Sequence, residues 1–141
     1  DMTTDTQNPP EFVAIAPLRA DASNPAEYAG EDTAKQQRKA YPELTTYESL
    51  ESPDELFSAA LLAVDKMGWE LVDSSETEGR IEATATTTWF GFKDDVVIRI
   101  RATADGSELD IRSKSRVGRS DVGKNADRIR EYLSQLKPEL R

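Results

Sequence analysis

The sequence predicts an α+β domain: a four- to five-stranded antiparallel sheet with two main helices packed on one face. Three observations carry that prediction. Residues 80–116 hold three stretches that alternate apolar and polar with period two. Ala104-Asp105-Gly106-Ser107 is a hairpin signal between the last two. Two amphipathic stretches with helical spacing flank this region, one on each side.

Each strand follows from its alternation. Ile81, Ala83, Ala85 and Thr87 share one face of the first, and Val96, Ile98, Ile100 and Ala102 do so in the second. Leu109, Ile111, Ser113 and Ser115 continue that face in the third. Such alternation implies one covered face and one turned to water. The open face would carry Glu82, Thr84, Thr86, Arg99, Arg101, Asp110, Arg112 and Lys114. It is expected to be a solvated surface laced with cross-strand charge pairs.

The rest of the chain divides into an arm, residues 1–43, and the domain, residues 44–141. Pro9, Pro10, Pro17 and Pro25 fix φ and remove backbone donors, so the first 29 residues read as an extended arm or linker with a short apolar patch. A cation held by Asp1 and Asp5 is disfavoured, because the glycine and closing glutamate of a calcium loop are missing. Gly30–Ala40 is a candidate short polar helix stopped by Tyr41-Pro42, and Leu44–Leu50 a candidate first strand. Ser52 is a helix N-cap, Pro53 takes the first helical position, and Leu56, Phe57, Ala60, Leu61, Val64 and Met67 form the buried stripe up to Gly68. Trp69–Val72 is then a strand and Asp73–Gly79 a polar turn. The last helix is expected to start at Ser120 or Asp121 and run to Leu136, burying Val122, Ala126, Ile129, Leu133 and Leu136.

Composition excludes several classes of function. The 141 residues include neither cysteine nor histidine. This removes disulfides, thiol nucleophiles, Cys-based zinc sites and the usual neutral-pH general base, and it argues against an enzyme. No cofactor motif stands out. The net charge of −9 speaks against general nucleic-acid or anionic-membrane affinity, although the second half of the chain could present a local basic face. It is uneven, however: residues 1–79 hold 5 basic and 17 acidic residues, whereas residues 80–141 hold 13 basic and 10 acidic ones. No run reaches the ~18 apolar residues of a membrane span, and no signal peptide is present. The chain opens on Asp1 rather than Met, so it reads as processed or cut from something longer.

Two constellations are candidates for binding. Gly118-Arg-Ser-Asp-Val-Gly123-Lys124-Asn125 resembles a phosphate-binding loop, but Asn125 replaces the magnesium-ligating hydroxyl and the strand before it alternates. A simpler anion site is conceivable, with helix N-terminal amides joined by Arg116, Arg119 and Lys124, although Asp121 is placed to cap the same amides. The second is Trp89-Phe90-Gly91-Phe92-Lys93-Asp94-Asp95, an aromatic connection where polar residues are usual. It reads either as a loop folded over the core or as a contact for a lipid, a protein or a membrane interface. Asp94 and Asp95 alternate faces on a strand and so do not share a substrate; pairing with arginine is expected. The candidate binding residues are therefore Trp89, Phe90, Phe92, Lys93, Arg99, Arg101, Arg112, Arg116, Arg119, Lys124 and Asn125, with no catalytic or metal-ligating residue among them.

Residues 79–87 (GRIEATATT), 89–99 (WFGFKDDVVIR) and 112–126 (RSKSRVGRSDVGKNA) strongly resemble the bacterial family called domain of unknown function 1499. Met67-Gly68-Trp69-Glu70 and the opening residues 1–12 are similar too, so the resemblance spans nearly the whole chain. It implies membrane segments or a lipoprotein-type leader ahead of this domain, and hence the envelope-facing, periplasmic part of a membrane-attached protein. It carries over no catalytic residues. The expected function is a non-catalytic binding module for a protein partner or a lipid or anionic ligand of the envelope. The alternatives are a hydrolase or transferase acting on a phosphorylated or glycosylated envelope substrate, and a structural spacer.

Overall fold

Along the described residues the elements are β1 (Met2–Thr3), α1 (Glu31–Ala40), β2 (Tyr47–Ser49), α2 (Pro53–Met67), β3 (Glu70–Ser75), β4 (Arg80–Thr86), β5 (Lys93–Ala102), β6 (Ser107–Ser115) and α3 (Val122–Leu136). The computed structural model describes residues 1–19, 22, 25–86, 91–117 and 122–137. All strand pairs are antiparallel, in the order β1-β6-β5-β4-β3, with β2 also on β6. The fold is thus α+β as expected. Its sheet has six strands rather than four or five, because the arm adds β1 beside β2 on the outer edge of β6.

The helix face is the apolar core. Ile81, Ala83, Val96, Ile98, Ile100, Leu109 and Ile111 meet Leu56, Phe57, Ala60 and Val64 of α2, and Ala126, Ile129, Tyr132 and Leu136 of α3. Each large aliphatic side chain buried here contributes roughly 1.5–3 kcal/mol. Tyr132 ties the two helices together: its ring stacks on Trp69 at 5.3 Å, and its hydroxyl donates to the Ala60 carbonyl at 2.9 Å. The signals of α2 are all present. Ser52 Oγ accepts from the Glu55 amide, Pro53 opens the helix and Gly68 closes it at φ 74°. The expected caps of α3 at Ser120 or Asp121, and Thr87, lie outside the described residues.

Two boundaries move. The candidate strand Leu44–Leu50 contracts to Tyr47–Ser49, since only those residues find partners on β6. The strand expected at Trp69–Val72 lies at Glu70–Ser75, running past a bulge between Leu71 and Asp73 into the polar stretch. Cross-strand hydrogen bonding with β4 overrides the polarity of Asp73-Ser74-Ser75 there.

The expectation of a solvated second face is overturned. Glu82, Thr84, Asp110, Arg112 and Lys114 are all buried, beneath the arm. Alternation reveals that a face is polar, but not that another segment carries the complementary groups to cover it. Phe12 and Ile15 pack on Val97, and the polar residues bond to the arm's backbone and charges. Gln37 of α1 completes the cover. Its amide takes the Thr3 N–H at 3.0 Å and gives one to the Thr3 carbonyl at 2.6 Å, serving as the next strand beside β1.

Gly79 joins β3 to β4 at φ 66°, and a Cβ there would lie 2.2 Å from the Ile100 carbonyl oxygen. The Ile100 amide meanwhile donates to the Gly79 carbonyl at 2.7 Å, so the two backbones cannot separate. Gly79→Ala is expected to cost more than the ~1–2 kcal/mol of a left-handed L-residue, read as a lowered urea midpoint with an unchanged slope.

Candidate functional site

β4 ends, β5 begins and β6 ends at the same edge of the sheet, so the β4–β5 and β6–α3 connections leave side by side. Asp94 pairs with Ser115, and the Arg116 amide donates to the Lys93 carbonyl at 3.0 Å. The described parts of the two regions singled out in the sequence, residues 91–95 and 116–117, are therefore neighbours, because the hairpin register of β5 and β6 puts their outer ends together.

Asp94 and Asp95 sit at the base of this end and, being adjacent on a strand, serve opposite faces. Asp95 points toward the arm and is fully buried. One of its oxygens accepts from Thr84 Oγ1 and Arg116 Nη2, both at 2.9 Å; the other accepts from Arg19 Nη1 at 2.7 Å and Arg116 Nε at 2.8 Å. Accepting these bonds, Asp95 pushes the Arg116 guanidinium above its ordinary value. Asp94 points toward α3, where Arg128 approaches its carboxylate at 2.7 Å and Lys124 at 3.6 Å. Asn125, also fully buried, accepts from Ser113 Oγ at 2.7 Å and from Arg128 Nη1 at 2.8 Å. Both carboxylates are thus committed to cations of the chain itself. Arg116 and Lys124, which an anion at this turn would need, face those carboxylates.

The other sequence candidates are distributed elsewhere or lie higher on the same end. Phe92 and Lys93 are exposed at the mouth of the connection. Trp89, Phe90 and Arg119 lie outside the described residues. Arg99 and Arg101 sit toward the far end of the sheet. There Arg99 bonds to Asp5 at 3.0 Å and Asp110 at 3.1 Å, while Arg101 reaches Glu108, Asp5 and Asp110 only at 3.5 to 3.8 Å. Arg101 borders an open polar groove of about 530 Å³, together with Thr4, Asp5, Thr46, Glu48 and Glu108. Arg112 is enclosed beneath the arm. Its guanidinium is bidentate on Asp1 at 2.9 and 3.0 Å, donates to the Pro10 and Ala26 carbonyls, and lies 4.7 Å from the Phe12 ring centroid and 5.6 Å from that of Tyr28. Burial pulls it down to about 10, which leaves it charged at neutral pH.

Sequence reasoning passed over Arg19, Glu82 and Arg128. Arg128 stands four residues after Lys124 on one helix face, a spacing that would have grouped the two. Arg19 lies 76 residues from Asp95, and no local pattern announces that pairing. Glu82 was assigned to a solvated face; its carboxylate instead accepts three successive arm amides, from Val13, Ala14 and Ile15, at 2.7 to 3.1 Å, plus the Arg80 guanidinium. Among the described residues no group of three acidic side chains could hold a metal ion, and no helix is long and apolar enough to cross a membrane.

Asp95→Asn removes the charge that two guanidiniums share, one of them fully enclosed. It is expected to destabilise by about 3–5 kcal/mol in chemical denaturation, the usual loss when a buried pair is broken from one side. A loss under about 0.5 kcal/mol would show that water replaces the carboxylate freely.

Lys114 generates a second prediction. Burial, followed by Arg112 and Arg19 alongside, pulls its ammonium down to about 8. Above that pH the folded state has lost a proton that the unfolded chain retains up to about 10.5, so this residue's contribution to stability rises with pH across that window. Urea midpoints of the wild type, taken relative to Lys114→Met, should increase between about pH 8 and pH 9.5.

Comparison with known proteins adds one relationship. No curated protein matches the chain. The family described as "Protein of unknown function (DUF1499)" matches residues 1–136. That match takes in the arm, the sheet and α3 alike, and the chain belongs to this family.

Proposed function

We propose that this domain is a non-catalytic binding module of a membrane-attached cell-envelope protein, facing the periplasm. Its binding surface is the sheet end where the 87–95 and 116–125 segments emerge. One observation carries the reading: β5–β6 pairing sets residues 91–95 beside residues 115–117, with Phe92 51% and Val117 42% exposed among basic residues. Large exposed apolar side chains gathered at one place mark contact surfaces more often than they serve folding.

The commitment of Asp94 and Asp95 favours binding over chemistry. A general base needs a lone pair within reach of the substrate's proton, and the Asp95 oxygens are filled by Thr84, Arg19 and Arg116. Hydrolysis or group transfer on an envelope substrate therefore draws no support from Asp95, and Asp94 is buried as the counter-ion of Arg128. A pure spacer role fits poorly with apolar side chains left in water at a basic end.

Backbone amide NMR during titration with inorganic phosphate, phospholipid headgroups and lipid micelles tests the reading. Saturable shifts confined to residues 91–95, 116, 117 and 122–125 are expected for at least one probe. No localised shift with any of them, and none with envelope extract, would overturn it.

A further inference from the structure

We infer that the sheet end docks on an anionic lipid bilayer, with Phe92, Val117 and Leu18 entering the interface and the surrounding cations meeting the headgroup phosphates. The inference rests on the binding-module reading and commits it to one target. Its first support is the layering of charge. The side chains of Asp94 and Asp95 are 4% and 0% exposed, whereas those of Arg116 and Lys124 are 19% and 39% exposed and Lys93 is exposed. Arg19 and Arg128, 1% and 10% exposed, balance the two aspartates from within, so among the described residues Arg116, Lys124 and Lys93 are an outer positive layer on a protein of net charge −9. Glu70, at the start of β3, is the acidic group that lies toward Arg116. It leaves the balance among these solvent-facing groups positive.

The second support is the kind of apolar group. Leu18 is 57% exposed and directly precedes Arg19, whose guanidinium donates to the Ser115 carbonyl at 3.1 Å; the arm therefore delivers Leu18 to this end. Phe92 and Val117 each stand one residue beyond the hydrogen-bonded pair Lys93 and Arg116. Exposed apolar tips beside Lys93 and Lys124 do not make the lysine-poor core of a protein interface. They do match an interfacial anchor, in which aromatic and aliphatic side chains enter the headgroup boundary and basic residues meet anionic lipid.

The test is co-sedimentation of the full chain with phosphatidylcholine vesicles, with or without a third of phosphatidylglycerol. Binding is expected for the anionic vesicles, at least about tenfold weaker for phosphatidylcholine alone, and lost near 0.5 M salt, where the screening length falls to a few ångström. Phe92→Ser and Lys93→Glu, both at exposed positions, should each weaken it about tenfold. Leu50→Ser, at an 85% exposed site beside Gly106 at the opposite end, should leave it unchanged. Equal binding to both vesicle types, or equal losses in Leu50→Ser and Phe92→Ser, would overturn the inference. Absence of vesicle binding while the same amides shift with a soluble probe or an extract protein would overturn it and leave the binding-module reading standing. Absence of both would overturn the two together.

Discussion

The polar half of this protein depends on one guanidinium. Arg112 projects from the middle of β6 into a space that the first 28 residues close around it. Asp1 meets it edge-on, the Pro10 and Ala26 carbonyls take two more of its donors, and Phe12 and Tyr28 lie over its faces. A planar group with five donors in a rigid fork can specify several chain segments at once, which an ammonium cannot. Before α1 the described residues of the arm hold no long regular element, so its path over the sheet has to be dictated by such points. Glu82 works the same way with opposite sign, collecting three consecutive amides of the arm.

The two faces of the sheet are therefore held by different physics. Apolar burial against α2 and α3 supplies most of the driving force on one side, and it is tolerant of detail. On the other side, buried charges gain little net stability because desolvation offsets their attraction. What they supply is selection: a slipped arm would leave Arg112, Glu82 or Asp95 uncompensated, and that costs far more than the correct pairing gains. The arm is consequently a fitted part of the domain, and its Arg19 reaches the same carboxylate that orients Arg116 at the candidate binding surface. Ordering of that surface and seating of the arm share one residue, Asp95.

Much of the sheet end was legible in the sequence. Strand alternation places Asp94 and Asp95 on opposite faces, and the aromatic connection stands out by composition alone. Phe92 does stay exposed, and Arg116 does pair with an aspartate. The grouping of Arg99 and Arg101 with the binding end was a consequence of reading charge by face without its position along the strand. Six and eight positions along β5, at over 3 Å per residue, carry them away from Lys93 and Arg116. Arg112 was placed on the correct face and in the wrong environment.

The sequence by itself determined the α+β class, the centre of the sheet, the helix-facing core and the caps of α2, because each of these is written in local periodicity or local capping chemistry. It also bounded function, since a chain without histidine or cysteine lacks the commonest catalytic and metal-binding groups. Only the tertiary structure decided that the second face is covered, that Arg19 reaches Asp95 across 76 residues, and that Arg116 and Lys124 lie outside the aspartates they pair with. Those outcomes depend on which distant groups meet. Alternation and spacing describe a residue's own strand or helix, whereas a buried charge is settled by whatever segment the fold brings over it.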